Sequence, residues 1–438
     1  MARTQSIDPR RTLKDLFSDR FIEETAYLEG FLRRRRKLNV VAFFWTLVLG
    51  FGAGTRRDVS TFRRSYQRTT GSTWAPSSFY DRFNGALVKF LKAVLEHALE
   101  SFQLAWGMGP DLASAFRDVV LADATVMKLP FGLRSVFRGS RTNSSPAAAK
   151  LHTVLSVKGK GNSTVAVTSE CTSELKKLQI GPWVRDRLLL FDLGYFRYQL
   201  FSRIRRNGGF FVTRLKADTN PLIVKLHREV RGNSIEVEGR KLKDVIRRLK
   251  REVLDVEVEA MFQRRSYDGR QRTVREQYRF VAIRDPHTHE YHTLVTNVSP
   301  DLLTAEAVAA CYRARWAVEL LFAELKTGYR MTQLSSGRKV VVEALIYAAI
   351  LSLVVSRRLL RLLAARDRQA RMTAGRWWRL LSMYAQELLL ILVMPARTAA
   401  SYTRNLVRTL LHELEDPHRD RCPLLLDALG YFRGYART

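Results

Sequence analysis

The stretch that decides the fold is residues 187–196, which read R-L-L-L-F-D-L-G-Y-F. The apolar run from Leu188 to Phe191 is typical of a strand that is buried inside a sheet. The run ends on a carboxylate, Asp192, and the following Gly194 suits a chain that turns tightly past a site at the end of a strand. The stretch therefore predicts a buried strand that delivers an acid to the edge of a sheet.

The chain upstream of this strand predicts three more strands and a second buried acid. The run 118–126 is rich in β-forming residues, and four apolar residues precede Asp123 within it. Asp118, at the beginning of the run, is expected to be solvated. The alternating runs 151–157 and 163–167 are separated by K-G-K-G-N, which is typical of a hairpin.

The chain downstream of Asp192 continues the pattern. A helix is predicted through about Arg206, and residues 209–214 form another predicted strand. The order is then three strands, a short helix, a strand, a helix and a strand. This order predicts an α/β fold with one acid on the first strand and another at the end of the fourth.

A helical segment further along carries a third acid. Residues 312–326 read Y-R-A-R-W-A-V-E-L-L-F-A-E-L-K, and four polar residues stand at offsets of 0, +3, +7 and +14: Tyr312, Arg315, Glu319 and Lys326. These offsets place all four on one helix face, which suits an acid that binds a metal beside bases that bind a phosphate. The apolar residues among them predict a largely buried helix: Trp316, Val318, Leu320 and Leu321. The alternative is an exposed face with an ordinary i,i+4 ion pair.

The spacing Y-x2-R-x3-E-x6-K resembles the signature of the insertion sequence 4 family of DDE transposases. Residues 192–196 are similar to the family's D-x-G-Y-F block. Residues 123–125 resemble its first-acid block, in which many relatives have glycine or serine where this chain has alanine. K-L-H at 150–152 is similar to the opening of the family's second strand. The resemblance runs from about residue 115 to 345.

This resemblance implies an RNase H-like catalytic core that is interrupted by a β-rich insertion and flanked by helical N- and C-terminal regions. The implied parts are a helical DNA-binding region (1–110), the first part of the core (111–216), the insertion with a basic helical arm (217–299), the core helix that carries Glu319 (300–345) and a helical C-terminal region (346–438).

The resemblance also implies the site. The catalytic and metal-binding acids are expected to be Asp123, Asp192 and Glu319, which would hold two Mg²⁺ ions, with Mn²⁺ as a substitute. The expected DNA contacts are Tyr312, Arg315 and Lys326 on a phosphate near the cut end, and Tyr291 or His292 on a flipped base. A zinc site at the nearby histidines is disfavoured, because no cysteine accompanies them.

Composition limits the partners. Lys and Arg number 74 against 42 acids, which gives a formal charge of +32, and 46% of the residues are hydrophobic. A globular chain with this charge favours nucleic acid, with an anionic membrane surface as the alternative. The three scattered cysteines favour a reducing cytoplasm, which the resemblance implies is that of a bacterium. The apolar runs 38–50 and 340–355 fall short of the roughly 20 residues of a membrane span.

The flanking regions carry weaker signals. A helix over 56–66, a break at Gly71 and a second helix from Pro76 through Leu91 have the outline of a helix-turn-helix, and a plain bundle fits equally well. Basic clusters that suit DNA or an ordinary solvated face occur at residues 33–37, within 217–253 and from Arg357 to Arg371.

The sequence thus predicts a DNA transposase that binds transposon ends as a homodimer, cleaves DNA and joins 3′ ends to a target. Two alternatives stay open: a metal-dependent nuclease on the same fold that does not join strands, and a non-enzymatic DNA-binding derivative.

Overall fold

The computed structural model describes residues 7–34, 38–52, 57–101, 114–141, 145–159, 163–228, 235–265, 271–364 and 374–414. Within these ranges a single mixed sheet stands between two groups of helices. The protein is therefore an α/β molecule with helical flanks, as the sequence predicted. Three of the basic residues at 33–37, and Arg366, Arg368 and Arg371, lie outside the described residues.

The helices before the sheet are α1 (Pro9–Leu16), α2 (Asp19–Leu28), α3 (Val40–Gly52), α4 (Val59–Thr70), α5 (Pro76–Tyr80) and α6 (Gly85–Glu100). Gly71 ends α4 in the left-handed conformation, at φ 68°. The single helix predicted from Pro76 to Leu91 is wrong. The helix is interrupted before α6. The side chain of Asn84 accepts hydrogen bonds from the backbone N–H groups of Ala86 and Leu87 and so caps a new helix.

The sheet comprises β1 (Asp118–Lys128), β2 (Arg138–Arg141), β3 (Ser145–Ser156), β4 (Thr164–Ser169), β5 (Arg187–Phe191), β6 (Phe210–Arg214), β7 (Leu222–Leu226), β8 (Val253–Arg265), β9 (Gln271–Arg284) and β10 (Tyr291–Thr296). Its order is β2-β3-β1-β5-β6-β10-β9-β8-β7, and β4 also pairs with β3. The turn expected at 267–270 lies outside the described residues.

The part β4-β3-β1-β5-β6 contains the five strands that the sequence predicted, and they follow one another along the chain in the predicted order. Strand β3 is antiparallel to β1 and β4, whereas β5 is parallel to both β1 and β6. Ala122 in β1 is opposite Phe191 in β5, so the next residues, Asp123 and Asp192, lie side by side at one edge of the sheet. The parallel pairing thus brings two acids together that are far apart in sequence.

Strands β10, β9, β8 and β7 extend the same sheet beyond β6. Leu294 of β10 is opposite Arg214 of β6 in an antiparallel pair. Within the described residues of 217–253, the expected basic helical arm is helical only in α8 (Leu242–Arg248), and residues 222–226 form the edge strand β7 instead. Ile223 explains this difference, since its buried side chain joins the apolar layer beneath the sheet.

Alternate residues of the strands face two different cores. Val119 and Leu121 join one core with the helices from both ends of the chain, and Val120 joins another with α7 (Tyr198–Arg206) and α8. The helices after the sheet are α9 (Ala305–Arg313), α10 (Trp316–Thr327), α11 (Lys339–Ala364), α12 (Ala374–Val393) and α13 (Ala396–Leu414).

Helix α11 is longer than the apolar run in the sequence suggested. Its segment Lys339–Leu363 is long and apolar enough to cross a membrane by length and composition, but 83% of its most apolar stretch is buried inside the protein. Among the described helices no other meets that test.

Candidate active site

Three carboxylates from three different elements lie around Arg315 and the neighbouring Tyr312. The Nη1 of Arg315 donates to Oδ2 of Asp123 in β1 at 2.9 Å, and its Nη2 donates to Oε1 of Glu319 in α10 at 2.7 Å. The hydroxyl of Tyr312 lies 3.4 Å from Oδ1 of Asp192, which directly follows β5. The guanidinium carbon of Arg315 lies 5.4 Å from the centre of the Tyr312 ring.

The helix that carries this row is interrupted, which corrects the expected single helix. The backbone N–H of Arg315 bonds to the carbonyl of Tyr312, and that of Val318 bonds to the carbonyl of Arg315, each at 3.1 Å. Such i→i+3 bonds form a 3₁₀-type turn between α9 and α10, which rotates the chain faster than an α-helix does. The turn places Arg315 between the two helices, facing Asp123.

Burial of the row is uneven. Val318 and Leu321 are buried as expected, but Trp316 is 54% exposed at the beginning of α10. The expectation that Trp316 fills a buried helix face is therefore wrong. It projects to the solvent because the neighbouring turn directs Arg315, rather than Trp316, toward β1.

The electrostatics of Asp123 reflect its crowded position. Burial raises its pKa to about 6, Arg315 opposes the rise, and the negative charges of Asp192 and Glu319 add to it. For Arg315, burial lowers the pKa, but the facing Tyr312 and Asp123 outweigh burial and the pKa is raised. The guanidinium is therefore a permanent cation among acids that repel one another.

Residues 114–355 match the family described as Transposase DDE domain. The chain belongs to the DDE transposase family. Enzymes of this family cleave and transfer DNA, and the family implies an RNase H-like fold and dependence on a divalent metal.

Three curated relatives of this DDE transposase are transposases for insertion sequence elements. The transposase for insertion sequence element IS231F of Bacillus thuringiensis subsp. israelensis is 21% identical over 385 residues, which cover 78% of this chain and 77% of the relative. The transposase for IS1151 of Clostridium perfringens is 19% identical over 373 residues, or 79% of each chain. The transposase for IS231B of Bacillus thuringiensis subsp. berliner is 25% identical over 210 residues, covering 45% of this chain and 42% of the relative.

The donor set of the transposase fits a hard divalent cation, because three carboxylates offer oxygen ligands from fixed elements. Burial is the main cause of the raised pKa of Asp123, and the negative charges of Asp192 and Glu319 add to it; a bound cation would relieve that repulsion. In the described part of the chain no three His, Cys, Asp or Glu residues are already spaced to hold a metal. The guanidinium of Arg315 lies between Asp123 and Glu319 instead.

The remaining predicted DNA contacts have different surroundings. Lys326 is half-buried on α10, burial lowers its pKa, and it forms no ion pair with any residue that the structure describes. Tyr291 donates from its hydroxyl to the carbonyls of Leu249 at 3.1 Å and Arg251 at 2.6 Å. His292 is exposed, with Nε2 at 3.5 Å from a carboxylate oxygen of Asp285.

Arg214 is a neighbour of the site that sequence reasoning missed. Leu190 of β5 is opposite Val212 of β6 in a parallel pair, so Asp192 and Arg214 stand side by side two residues further on. Arg214 is exposed, and its charge is one of the influences that lower the pKa of Tyr312 against the larger effect of burial. The signal available in the sequence was a cation at the end of the strand that follows Asp192.

Asp118 was expected to be solvated at the beginning of its strand, and that expectation is wrong. Its carboxylate is fully buried and accepts hydrogen bonds from the N–H of Val119 at 2.8 Å, the hydroxyl of Ser156 at 2.6 Å and the N–H of Lys158 at 3.1 Å. Asp118 therefore stabilises the end of the β1–β3 pair and lies at the opposite end of β1 from the site.

Close contact explains the glycine of the D-L-G-Y-F block. A Cβ atom at Gly194 would overlap the carboxylate of Glu174, which itself lies 3.6 Å from the Nζ of Lys150 on β3. The ion pair thus covers the turn that carries Asp192. The neighbouring His152 is buried, which lowers its pKa to about 4, and it shares a hydrogen bond with the hydroxyl of Thr168.

Proposed function

We propose that this chain is the transposase of a bacterial insertion sequence, which binds transposon ends, cleaves DNA and joins the 3′ ends to target DNA by two-metal-ion phosphoryl transfer. The observation that carries the proposal is the meeting of three carboxylates, from β1, from the end of β5 and from α10. The relatives' names support the insertion-sequence origin, since each is the transposase for such an element.

In this proposal Asp123, Asp192 and Glu319 hold two Mg²⁺ ions, for which Mn²⁺ substitutes. Such ions, when bound, supply Lewis acidity at phosphorus and lower the pKa of the attacking hydroxyl. The residues contribute position: β1 and β5 fix two carboxylates in register, and α10 brings the third across from the other side. Ligands fixed on rigid elements would hold the reacting groups in line.

Phosphate near the cut end is bound by Arg315, Lys326 and Tyr312. Arginine supplies a planar fork and lysine a point charge, so the two hold different oxygens of the same backbone. The unpaired, half-buried ammonium of Lys326 supports this role, because a desolvated cation gains from an anionic ligand. Arg214, which lies beside Asp192, adds a further positive charge near Tyr312.

The chain is organised as a helical DNA-binding region (1–110), an RNase H-like core (111–216 and 300–345), a β-rich insertion (217–299) and a helical C-terminal region (346–438). The sheet supports the insertion, because β7 to β10 come after the fifth core strand and before α9, and they continue the sheet past β6.

The partners are double-stranded DNA, as transposon ends and target, and a second copy of the chain in the DNA complex. The charge of +32 supports the first. No membrane takes part, and the protein works in the bacterial cytoplasm. Of the two candidates for stacking on a flipped base, exposed His292 is favoured over Tyr291, whose hydroxyl is bound to two backbone carbonyls.

The test uses Asp123→Ala, Asp192→Ala and Glu319→Ala with labelled DNA from the borders of the coding region. Each variant should lose cleavage and strand transfer while retaining DNA binding, since phosphate contacts elsewhere supply the affinity. Near-normal cleavage by any of the three variants would contradict the assignment of the acids. Cleavage by the unaltered protein without any joined product would make it a nuclease instead.

A further inference from the structure

We propose that Arg315 is a built-in counter-ion that occupies the cation position of the metal-free site, and that a DNA phosphate draws it away. Metal and DNA then bind cooperatively through this one side chain. The inference rests on the proposed function, in which the same acids bind the divalent ions.

The geometry of Asp123 carries the first step. Its Oδ1 accepts a hydrogen bond from the backbone N–H of Ala124 at 2.7 Å, and its Oδ2 accepts from Arg315 at 2.9 Å. The backbone amide cannot leave, because it belongs to the strand. A divalent cation that binds Oδ2 on the side facing Glu319 takes the place of the guanidinium, because two cations on one oxygen repel each other.

The second step concerns the free energy of the Arg315 guanidinium in its buried position between the two acids. The residue is 5% exposed, and its Nε has no hydrogen-bond partner among the described residues. A buried donor without a partner costs free energy, so the guanidinium is held by its two carboxylates and by the ring of Tyr312. Removing it from the acids leaves a buried cation that requires a new anion.

The third step is the direction in which Arg315 can move. The side chain of Asp123 is 11% exposed, whereas that of Glu319 is 37% exposed. The Glu319 end of the bridge therefore opens to the solvent. A backbone phosphate that arrives there offers a bidentate partner to the same planar fork.

These steps link the two ligands. A metal ion that binds Asp123 and Glu319 displaces Arg315, which is then free to bind the phosphate. Conversely, a phosphate that binds Arg315 leaves both acids free to bind the metal ion. Because such coupling is reciprocal, DNA must raise the metal affinity by the same factor by which metal raises the DNA affinity. The site is then occupied by metal chiefly when DNA is bound.

The experiment measures Mn²⁺ binding calorimetrically on the full chain, alone and with a blunt duplex from the border of the coding region. The duplex ends in a 3′-dideoxynucleotide so that no joining occurs. Arg315→Gln removes the bridge, and Arg313→Gln is the matched control, because it removes the same charge from an exposed position two residues away.

Without DNA, Arg315→Gln should bind Mn²⁺ more tightly than the unaltered chain, by about 5- to 150-fold, the usual range for coupled sites. The duplex should tighten Mn²⁺ binding to the unaltered chain and to Arg313→Gln by a similar factor, and should have little effect on Arg315→Gln. A thermal melt should show that Mn²⁺ restores the stability that Arg315→Gln loses in EDTA.

Equal or weaker Mn²⁺ binding by a folded Arg315→Gln variant overturns the inference and makes Arg315 a residue that orients the acids. If that variant does not fold, Arg315→Lys replaces it, with an intermediate gain expected because a point charge satisfies one carboxylate at a time. No gain with lysine also overturns the inference. Asp123→Ala distinguishes failure of this inference from failure of the proposed function. Undiminished Mn²⁺ binding by this variant would refute the proposed metal site itself.

Discussion

Asp255 and Arg279 form a buried, two-pronged ion pair between β8 and β9, with N–O distances of 2.8 and 2.6 Å. The remaining Nη1 of Arg279 donates to the carbonyls of Val298 at 3.2 Å and Leu303 at 2.7 Å, in the segment that leads to α9. The pair therefore connects strands β8 and β9 to the segment that leads into the helix that carries Tyr312.

Removal of one member of this pair should destabilise the protein. Asp255→Ala leaves a buried guanidinium without its acid, which costs about 3–5 kcal/mol of unfolding free energy. Arg275→Ala is the control, because its pair with Glu259 is exposed at 3.8 Å and should contribute no more than about 1 kcal/mol. Denaturant unfolding compares the two, and equal losses would mean that the buried pair has no special role.

The metal-free protein should lose stability as Asp123 ionises. Folding raises its pKa from 3.8 to about 6, so the folded state holds this proton more tightly than the unfolded chain does. The resulting stability is complete below about pH 4 and is lost as the pH rises through about 6, by roughly 3 kcal/mol at most. Thermal melts in EDTA should show this loss relative to Asp123→Asn, and parallel pH profiles for the two proteins would contradict it.

Asp118→Ala should lower the stability of the fold without changing the rate of DNA cleavage by folded protein. The change removes the carboxylate that accepts hydrogen bonds from the hydroxyl of Ser156 and from two backbone N–H groups, and each lost bond costs about 1–3 kcal/mol. The control is Asp186→Asn, since asparagine tolerates the φ of 59° at that position. Protein that remains folded at low temperature should cleave DNA at the normal rate, and loss of cleavage there would connect Asp118 to the site.

Gly194→Ala should disturb Asp192 through Glu174. The added methyl group overlaps the Glu174 carboxylate and pushes it from Lys150. We expect the variant to lose cleavage activity several-fold, and Gly194→Ala combined with Glu174→Ala to recover part of it, because the overlap is gone. Comparison of the rates with those of Glu174→Ala gives the coupling between the positions. If the effects of the two substitutions on the cleavage rate are purely additive, the overlap with Glu174 is not the cause of the loss in Gly194→Ala.

DNA binding should weaken steeply with salt. The formal charge of +32 favours many phosphate contacts, each of which contributes about −0.9 to the slope of log affinity against log salt on duplex DNA. Binding measured over a range of KCl concentrations gives the number of contacts. A flat response would mean that the charge serves another partner.

The sequence by itself determined the core strands and where Asp123 and Asp192 fall on them. The apolar run before Asp192 and the β-rich run around Asp123 specify buried strands, because burial leaves a pattern within a few residues. The spacing from Tyr312 to Lys326 predicted a helix with a polar row for the same reason. These local patterns were sufficient for the order of the core strands, and the register of the sheet then brings Asp123 next to Asp192.

The tertiary structure decided the partners of each charged group. Nothing near Asp118 indicates that Ser156 and Lys158 will surround it, and nothing near Arg315 shows that it will bridge Asp123, 192 residues away. The 3₁₀-type turn that directs Arg315 inward is equally absent from the helical pattern. Local periodicity reports whether a side chain is buried, whereas its partner across the sheet depends on how distant elements pack, so the charge balance of the site exists only in the folded chain.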